Sequence, residues 1–221
     1  MFSLVRSRLF CSAQAATGEA SATLGVSAFT GKVGTGSNPR ALAPVVTSNV
    51  LNGNRAIDFT CISRNAAAKL VHAVAIANTK NVQETCAFVK PMIAADLDVK
   101  EGQIARGLTP FRISIFPGAR PAPLTVDSSR FMRRTKVSAN VDHEELAKNI
   151  HSCYLSKTPL LLECMGDKAT AIITQAMALF NERVKSHDIV AFVSFSSGRS
   201  SEGTEIVTIQ FQLSEEPKNQ H

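Results

Sequence analysis

The chain repeats itself, and that constrains its fold more than any other feature. AIDFTCISRNAAAKLVHAVAIAN (56–78) lies without a gap against PLLLECMGDKATAIITQAMALFN (159–181). Cys61 falls on Cys164, Ala66 on Ala169, Ala68 on Ala171, Ala73 on Ala176, Ala75 on Ala178 and Asn78 on Asn181. Upstream, LAPVVTSNVL (42–51) aligns with LAKNIHSCYL (146–155), and Val26-Ser27-Ala28 with Val137-Ser138-Ala139. Downstream, Ala87-Phe88-Val89 aligns with Ala191-Phe192-Val193. Self-similarity in a fixed order means that one supersecondary unit is used twice. The 221 residues suffice for two cores of about 90 residues each.

Each repeat reads as β-α-β-α-β-β. A short strand at 24–28 or 136–139 leads to a first helix, about 39–52 or 142–156. Asp142 before His143-Glu144-Glu145 suits an N-cap with acids in the first turn. Pro39 fits a first turn, whereas Pro44 one turn later kinks or delays that helix. The alternation Ile57, Phe59, Cys61 and Leu160, Leu162, Cys164 predicts strands with one inward face. The alanine-rich segments 65–79 and 167–184 predict helices covered on more than one side. Two further strands close each repeat, 86–91 with 109–116 and 189–196 with 204–213.

Composition removes several classes. No apolar run approaches the roughly 20 residues of a bilayer helix, so no membrane insertion is expected. The five cysteines, 11, 61, 86, 153 and 164, include no C-x-x-C pair, which argues against a disulfide framework or a zinc site. At the N-terminus, Arg6 and Arg8 stand among Phe2, Leu4, Val5, Leu9 and Phe10, with no acid before Glu19. That is the amphipathic, Arg-bearing, acid-poor pattern of a mitochondrial transit peptide, and it implies the matrix as location. A disordered tail is the alternative. The expected division is a transit peptide over 1–20, a basic first repeat over 21–117, a Pro/Arg linker over 118–135, an acidic second repeat over 136–217 and a tail over 218–221.

Both repeats resemble the bacterial stage V sporulation protein S family, within the broader Alba-like group. The resemblance rests on VSA with SNPRALAPVV (37–46) and AAAKLVHAVAIA (66–77) in the first repeat. In the second it rests on KVSANVDHEELAKNI (136–150), KATAIITQAMAL (168–179) and EIVTIQFQLSEEP (205–217). It implies an α/β fold, an α+β sandwich of two tandem Alba-like domains, with frequent dimerisation and, on the Alba side, nucleic-acid binding. Two departures stand out. The tandem arrangement allows an internal pseudo-dimer, and the first β–α loop of repeat one carries an insertion of about seven residues.

Charge divides the copies. Residues 26–125 hold eleven Lys/Arg against five Asp/Glu, the segment 126–136 four against one, and 137–221 seven against eleven, within a net charge of +6. Bases that neutralise phosphates release counterions, the main sequence-independent source of nucleic-acid affinity. Repeat one is therefore the expected binding half, and the acidic repeat supports it or docks a partner. The loop 29–40 (FTGKVGTGSNPR) is the sharpest local feature. Glycines 31, 34 and 36 permit close approach, Ser37 and Asn38 precede a helix N-terminus, and Lys32 and Arg40 flank a phosphate cradle. It is neither a Walker A loop nor a dinucleotide fingerprint. Arg64 and Lys69 open the second helix, and Lys90, Lys100 and Arg106 border the long hairpin loop. In the linker, Arg130, Arg133, Arg134 and Lys136 form the densest basic cluster. Two roles suit it, contact with RNA or holding the repeats together.

Catalysis finds no constellation. His72 lies on an alanine-rich helix, His143 and His151 lack partners at metal spacing, and Cys61 and Cys164 read as inward core thiols. The expectation is a non-enzymatic protein without metal or cofactor that binds RNA, or else DNA, inside a mitochondrial ribonucleoprotein. The alternative is a structural or assembly subunit of the mitochondrial ribosome or an RNA-processing complex, working through protein contacts. Homo- and hetero-oligomers fit either reading.

Overall fold

The structure of the chain, a computed structural model, describes residues 30–94, 110–122, 132–199 and 203–218. The first half contains β1 (Thr30–Val33), α1 (Pro39–Val46) continued by a π-helical turn (Thr47–Asn52), β2 (Ile57–Cys61), α2 (Arg64–Lys80), β3 (Thr85–Ile93) and β4 (Phe111–Ala119). The second contains β5 (Arg133–Val137), α3 (His143–Leu155), β6 (Leu160–Cys164), α4 (Gly166–Arg183), β7 (His187–Arg199) and β8 (Glu205–Pro217). Among the described residues this is a mixed α/β protein with four helices and one eight-stranded sheet, ordered β1-β2-β4-β3-β7-β8-β6-β5. The second half of that order mirrors the first. A pseudo-two-fold axis therefore runs between β3 and β7, and one sheet passes through both halves.

The register places the axis. Across the seam Phe88 faces Phe192 and Val89 faces Ala191. Thr85 stands opposite Ala119, and His187 stands opposite Pro217 in the same place of the second hairpin. Counting from there, Val89 and Ala191 are equivalent, and the axis passes between them. The alignment of Ala87-Phe88-Val89 with Ala191-Phe192-Val193 is therefore two residues out. A shift of two leaves every side chain on its own face of the strand, so the apolar pattern cannot reveal it.

The first strand also moves. Residues 24–28 lie outside the described residues, and the strand that pairs with β2 is Thr30–Val33, a third of the segment read as a loop. Val33 pairs with Cys61 as Val137 pairs with Cys164. Five residues then separate strand from helix in each half, 34–38 and 138–142, so the expected insertion is not in that loop. Gly31 made the segment look like a turn, yet parallel pairing with β2 overrides its weak strand propensity. β4 runs to Ala119 and β5 begins at Arg133, so both strands reach into the span read as linker.

α1 ends after eight residues and widens into the π turn. Pro44 has no N–H to give its preceding turn, which is the local cause. Thr47 Oγ1 and Asn49 Nδ2 then donate to the carbonyls of Ala43 and Val45, at 3.0 and 2.9 Å. The turn closes on Gly53, where a Cβ would stand 2.7 Å from the Asn49 carbonyl oxygen.

All four helices cover one face of the sheet. α2 and α4 lie antiparallel at the centre, each also resting on the other half's central strand, α2 on β7 and α4 on β3. Ala66, Ala67, Ala73, Ala75, Ala176 and Ala178 are at 0% exposure, which lets helix, sheet and neighbour approach closely. Phe111 and Phe211 of the sheet are fully buried, and Phe180 of α4 is buried against His151 and Tyr154 of α3.

Candidate nucleic-acid interface

The Gly-rich turn is built from its own side chains. Ser37 Oγ accepts the Gly34 N–H at 3.1 Å, Ser37 N–H donates to the Gly34 carbonyl at 3.1 Å, and Asn38 Oδ1 caps α1 by accepting the Arg40 N–H at 2.9 Å. Open space surrounds Gly34 and Gly36, and neither has positive φ. The fold itself does not require glycine there. Lys32 and Arg40 do not converge on this turn. Lys32 stands beside Thr60 on the helix-free face of the sheet, whereas Arg40 begins a helix on the opposite face.

The second helix start is drawn into the molecule. Lys69 Nζ lies 2.5 Å from Asp167, and Arg64 donates to Gln175 Oε1 at 3.2 Å, both on α4. The linker cluster divides as well. Arg130 lies outside the described residues. Arg133 and Arg134 are successive residues of β5 and so point to opposite faces. Arg133 reaches the Cys153 sulfur on the helix side, at 3.9 Å, while Arg134 shares the open face with Lys136. Lys90 pairs with Glu216 and Asp188 at 3.0 and 3.5 Å. Lys100 and Arg106 lie outside the described residues.

Cations with neither an ion pair nor a side-chain hydrogen bond among the described residues are Lys32, Arg40, Arg55 and Lys80 in the first half and Arg134, Lys136, Lys148, Lys168 and Lys185 in the second. In the second half Arg183 binds Glu144, Lys157 binds Glu215, and Lys218 binds Asp188. Arg40 and Lys80 line one groove of about 270 Å³ with Ala43, Pro44, Thr47, Ser48, Asn52 and Ala77, and no acid contributes to it. Sequence spacing could not find this site, because forty residues separate its two cations.

Two structural devices were also missed. Arg120 and Lys218, each just past the last strand of its half, reach back to helix C-terminal carbonyls. Arg120 donates to Asn78 and Asn81, and Lys218 to Asn181 and Val184. Each cation answers the partial negative charge of a helix end. The residue called a tail, Lys218, is thus a cap. Asn78 and Asn181 form the other device. Asn78 accepts the Ala87 N–H and donates to the carbonyls of Ala87 and Val193, all at 2.8 Å. Asn181 accepts the Ile189 N–H at 2.6 Å and donates to Ile189 and Pro91 at 3.0 Å. The β3–β7 ladder spans two residue pairs, and one amide closes it at each end.

His72 has a hydroxyl and a carboxylate at its two ring nitrogens. Nε2 is 3.2 Å from Thr170 Oγ1, and Nδ1 is 3.3 Å from Asp167. That order of groups is the one an activated nucleophile needs. Here, however, Thr170 is at 0% exposure and its hydroxyl donates to the Gly166 carbonyl at 3.0 Å. Burial lowers the His72 pKa, Asp167 opposes that shift and Lys69 adds to it. Burial thus favours the neutral ring, which joins α2 to α4. Burial pushes the Cys61 thiol up to about 12 and those of Cys86 and Cys164 up to about 11, so they stay protonated. Among the described residues no His, Cys, Asp or Glu group is placed to hold a metal ion, and no helix is long and apolar enough to cross a membrane.

No protein-family model matches the chain, and no curated protein matches it.

Proposed function

We propose that this chain is a non-enzymatic nucleic-acid-binding protein, acting on RNA in preference to DNA within a mitochondrial ribonucleoprotein. In this reading it is a tandem pair of Alba-like domains fused into an internal pseudo-dimer. The pseudo-two-fold sheet supports that architecture. The observation that carries the function is the asymmetry of charge within it. Residues 26–125 hold eleven Lys/Arg against five Asp/Glu and residues 137–221 seven against eleven, and Lys32, Arg40, Arg55 and Lys80 of the first half are exposed and without an ion-pair partner among the described residues. Free surface cations attract polyanions, and their attraction falls with salt as counterions return. The acidic half orients the chain by repelling the same backbone.

The test is binding of the full chain to labelled single- and double-stranded RNA and DNA across a salt series. Affinity is expected to fall with a log–log slope of roughly 0.7 per contacted phosphate on single strands. The double change K32A/R55A is expected to flatten that slope. Absence of binding at low salt, with the protein folded, overturns the reading. It promotes the assembly-subunit alternative, which the more than half-exposed Leu155, Met165 and Val207 of the acidic half favour as protein-contact residues.

A further inference from the structure

The pseudo-symmetry permits a comparison that a single copy would not. Asn38 and Asp142 cap their helices identically, each side chain accepting the N–H two residues on, from Arg40 at 2.9 Å and Glu144 at 3.0 Å. Arg40 and Glu144 are therefore equivalent positions. At the other helix of each half, the N–H groups of Asn81 and Val184 donate to the carbonyls of Ala77 and Phe180, at 3.1 and 2.9 Å. Lys80 and Arg183, the residues just before, are equivalent too.

In the second half this pair of positions is closed. Arg183 holds Glu144 through both carboxylate oxygens, at 2.9 and 2.7 Å, joining the start of α3 to the end of α4. In the first half the same two positions carry Arg40 and Lys80. The carboxylate that bridges the helices in one copy is replaced by a second cation, and a groove of about 270 Å³ lies between α1 and α2. Like charges on facing elements repel. The Thr47 hydroxyl donates to the Ala43 carbonyl and that of Ser48 to Val45, at 3.0 and 3.4 Å. The charge facing the groove therefore comes from the two cations.

We infer that the groove between α1 and the end of α2 is a phosphate site, in which a phosphodiester oxygen pair takes the place that Glu144 fills in the other half. Arg40 and Lys80 are its ligands, and Asn52 adds an amide at its edge. This rests on the nucleic-acid reading above and names the surface that performs it. The guanidinium provides a planar fork for two phosphate oxygens, and the ammonium provides a point charge from the opposite wall.

The experiment compares the full-length protein with R40E and K80A. R40E recreates the charge arrangement of the second half, facing Lys80 as Glu144 faces Arg183. It is expected to keep or raise the Tm while weakening a labelled single-stranded RNA by roughly tenfold or more at low salt, with a shallower salt slope. K80A is expected to weaken binding less and to fold normally. Inorganic pyrophosphate is expected to raise the Tm of the parent protein and leave that of R40E unchanged. RNA binding by R40E with parental affinity and slope overturns the groove while leaving the nucleic-acid reading in place. If the parent protein binds no nucleic acid, that reading falls. The pyrophosphate shift then decides the groove alone, equal shifts in parent and R40E overturning it. A clear loss of Tm in R40E overturns the equivalence on which the inference stands.

Discussion

At the residue scale, the buried polar groups are the ones whose removal will be felt most. Asn78 and Asn181 each satisfy three backbone groups at the seam, where strand pairing has stopped. Replacing either by alanine leaves buried N–H and C=O groups without partners and is expected to cost about 2–4 kcal/mol. Urea unfolding of N78A and N181A measures it, and the pseudo-symmetry predicts similar losses. His72 carries a pH dependence. Its folded pKa lies below the ordinary value of 6.5 because burial disfavours the imidazolium. Below about pH 6.5 the unfolded chain takes up the proton first, so this contribution to stability is present above that pH and is lost as pH falls through the window beneath it. H72Q, which installs the side chain found at the equivalent Gln175, is expected to flatten Tm against pH between about 7 and 5 relative to the parent. The thiols of Cys61, Cys86 and Cys164, raised to about 12, 11 and 11, are expected to resist iodoacetamide at pH 8 until the chain is unfolded.

At the element scale, the first helix of each half shows how a local residue redirects the chain. α3 runs Asp142-capped for 13 residues with Glu144 and Glu145 in its first turn. Its counterpart α1 stops after eight and continues as a π turn, because Pro44 interrupts the hydrogen-bond ladder. That widened turn places Thr47, Ser48 and Asn52 along the groove that Arg40 and Lys80 line. Gly53 is the residue that lets it close, with the Asn49 carbonyl where a Cβ would sit. G53A is expected to destabilise by about 1–3 kcal/mol, read by thermal unfolding. It should also weaken RNA binding more than an equally destabilising change in the second half. The helix ends obey the same physics twice, since Arg120 and Lys218 cap α2 and α4 from the strand that follows.

At the scale of the whole molecule, the seam couples the halves. A short β3–β7 ladder, two asparagine amides, the α2–α4 contact and the exchange of helices over central strands all cross it. Arg64–Gln175 and His72–Asp167 are images of one another about the axis. Neither half keeps its central helix covered alone. The full chain is therefore expected to unfold in one cooperative transition by calorimetry. A fragment ending at residue 122 is expected to pair with a second copy or stay unfolded, as analytical ultracentrifugation would report. A folded, monomeric fragment would refute the coupling.

The amino-acid sequence by itself determined the order of elements in each half, the inward faces of β2 and β6, the alanine-rich central helices and the charge difference between copies. All of these are local or periodic properties, set by spacings of two to four residues or by simple counts. It misjudged β1, because Gly31 hides a strand that exists only through its partner β2. It misaligned β3 with β7, because a two-residue slip preserves every face. It grouped Arg133 with Arg134, which the pleat sends apart, and Lys32 with Arg40, which the sheet separates. The tertiary structure alone decided which cations are consumed and which are left over. An ion pair such as Arg183–Glu144 joins residues 39 apart. Whether a charge meets its opposite, or another of its own sign, depends on how helices pack across a sheet, a distance that no local pattern in the chain records.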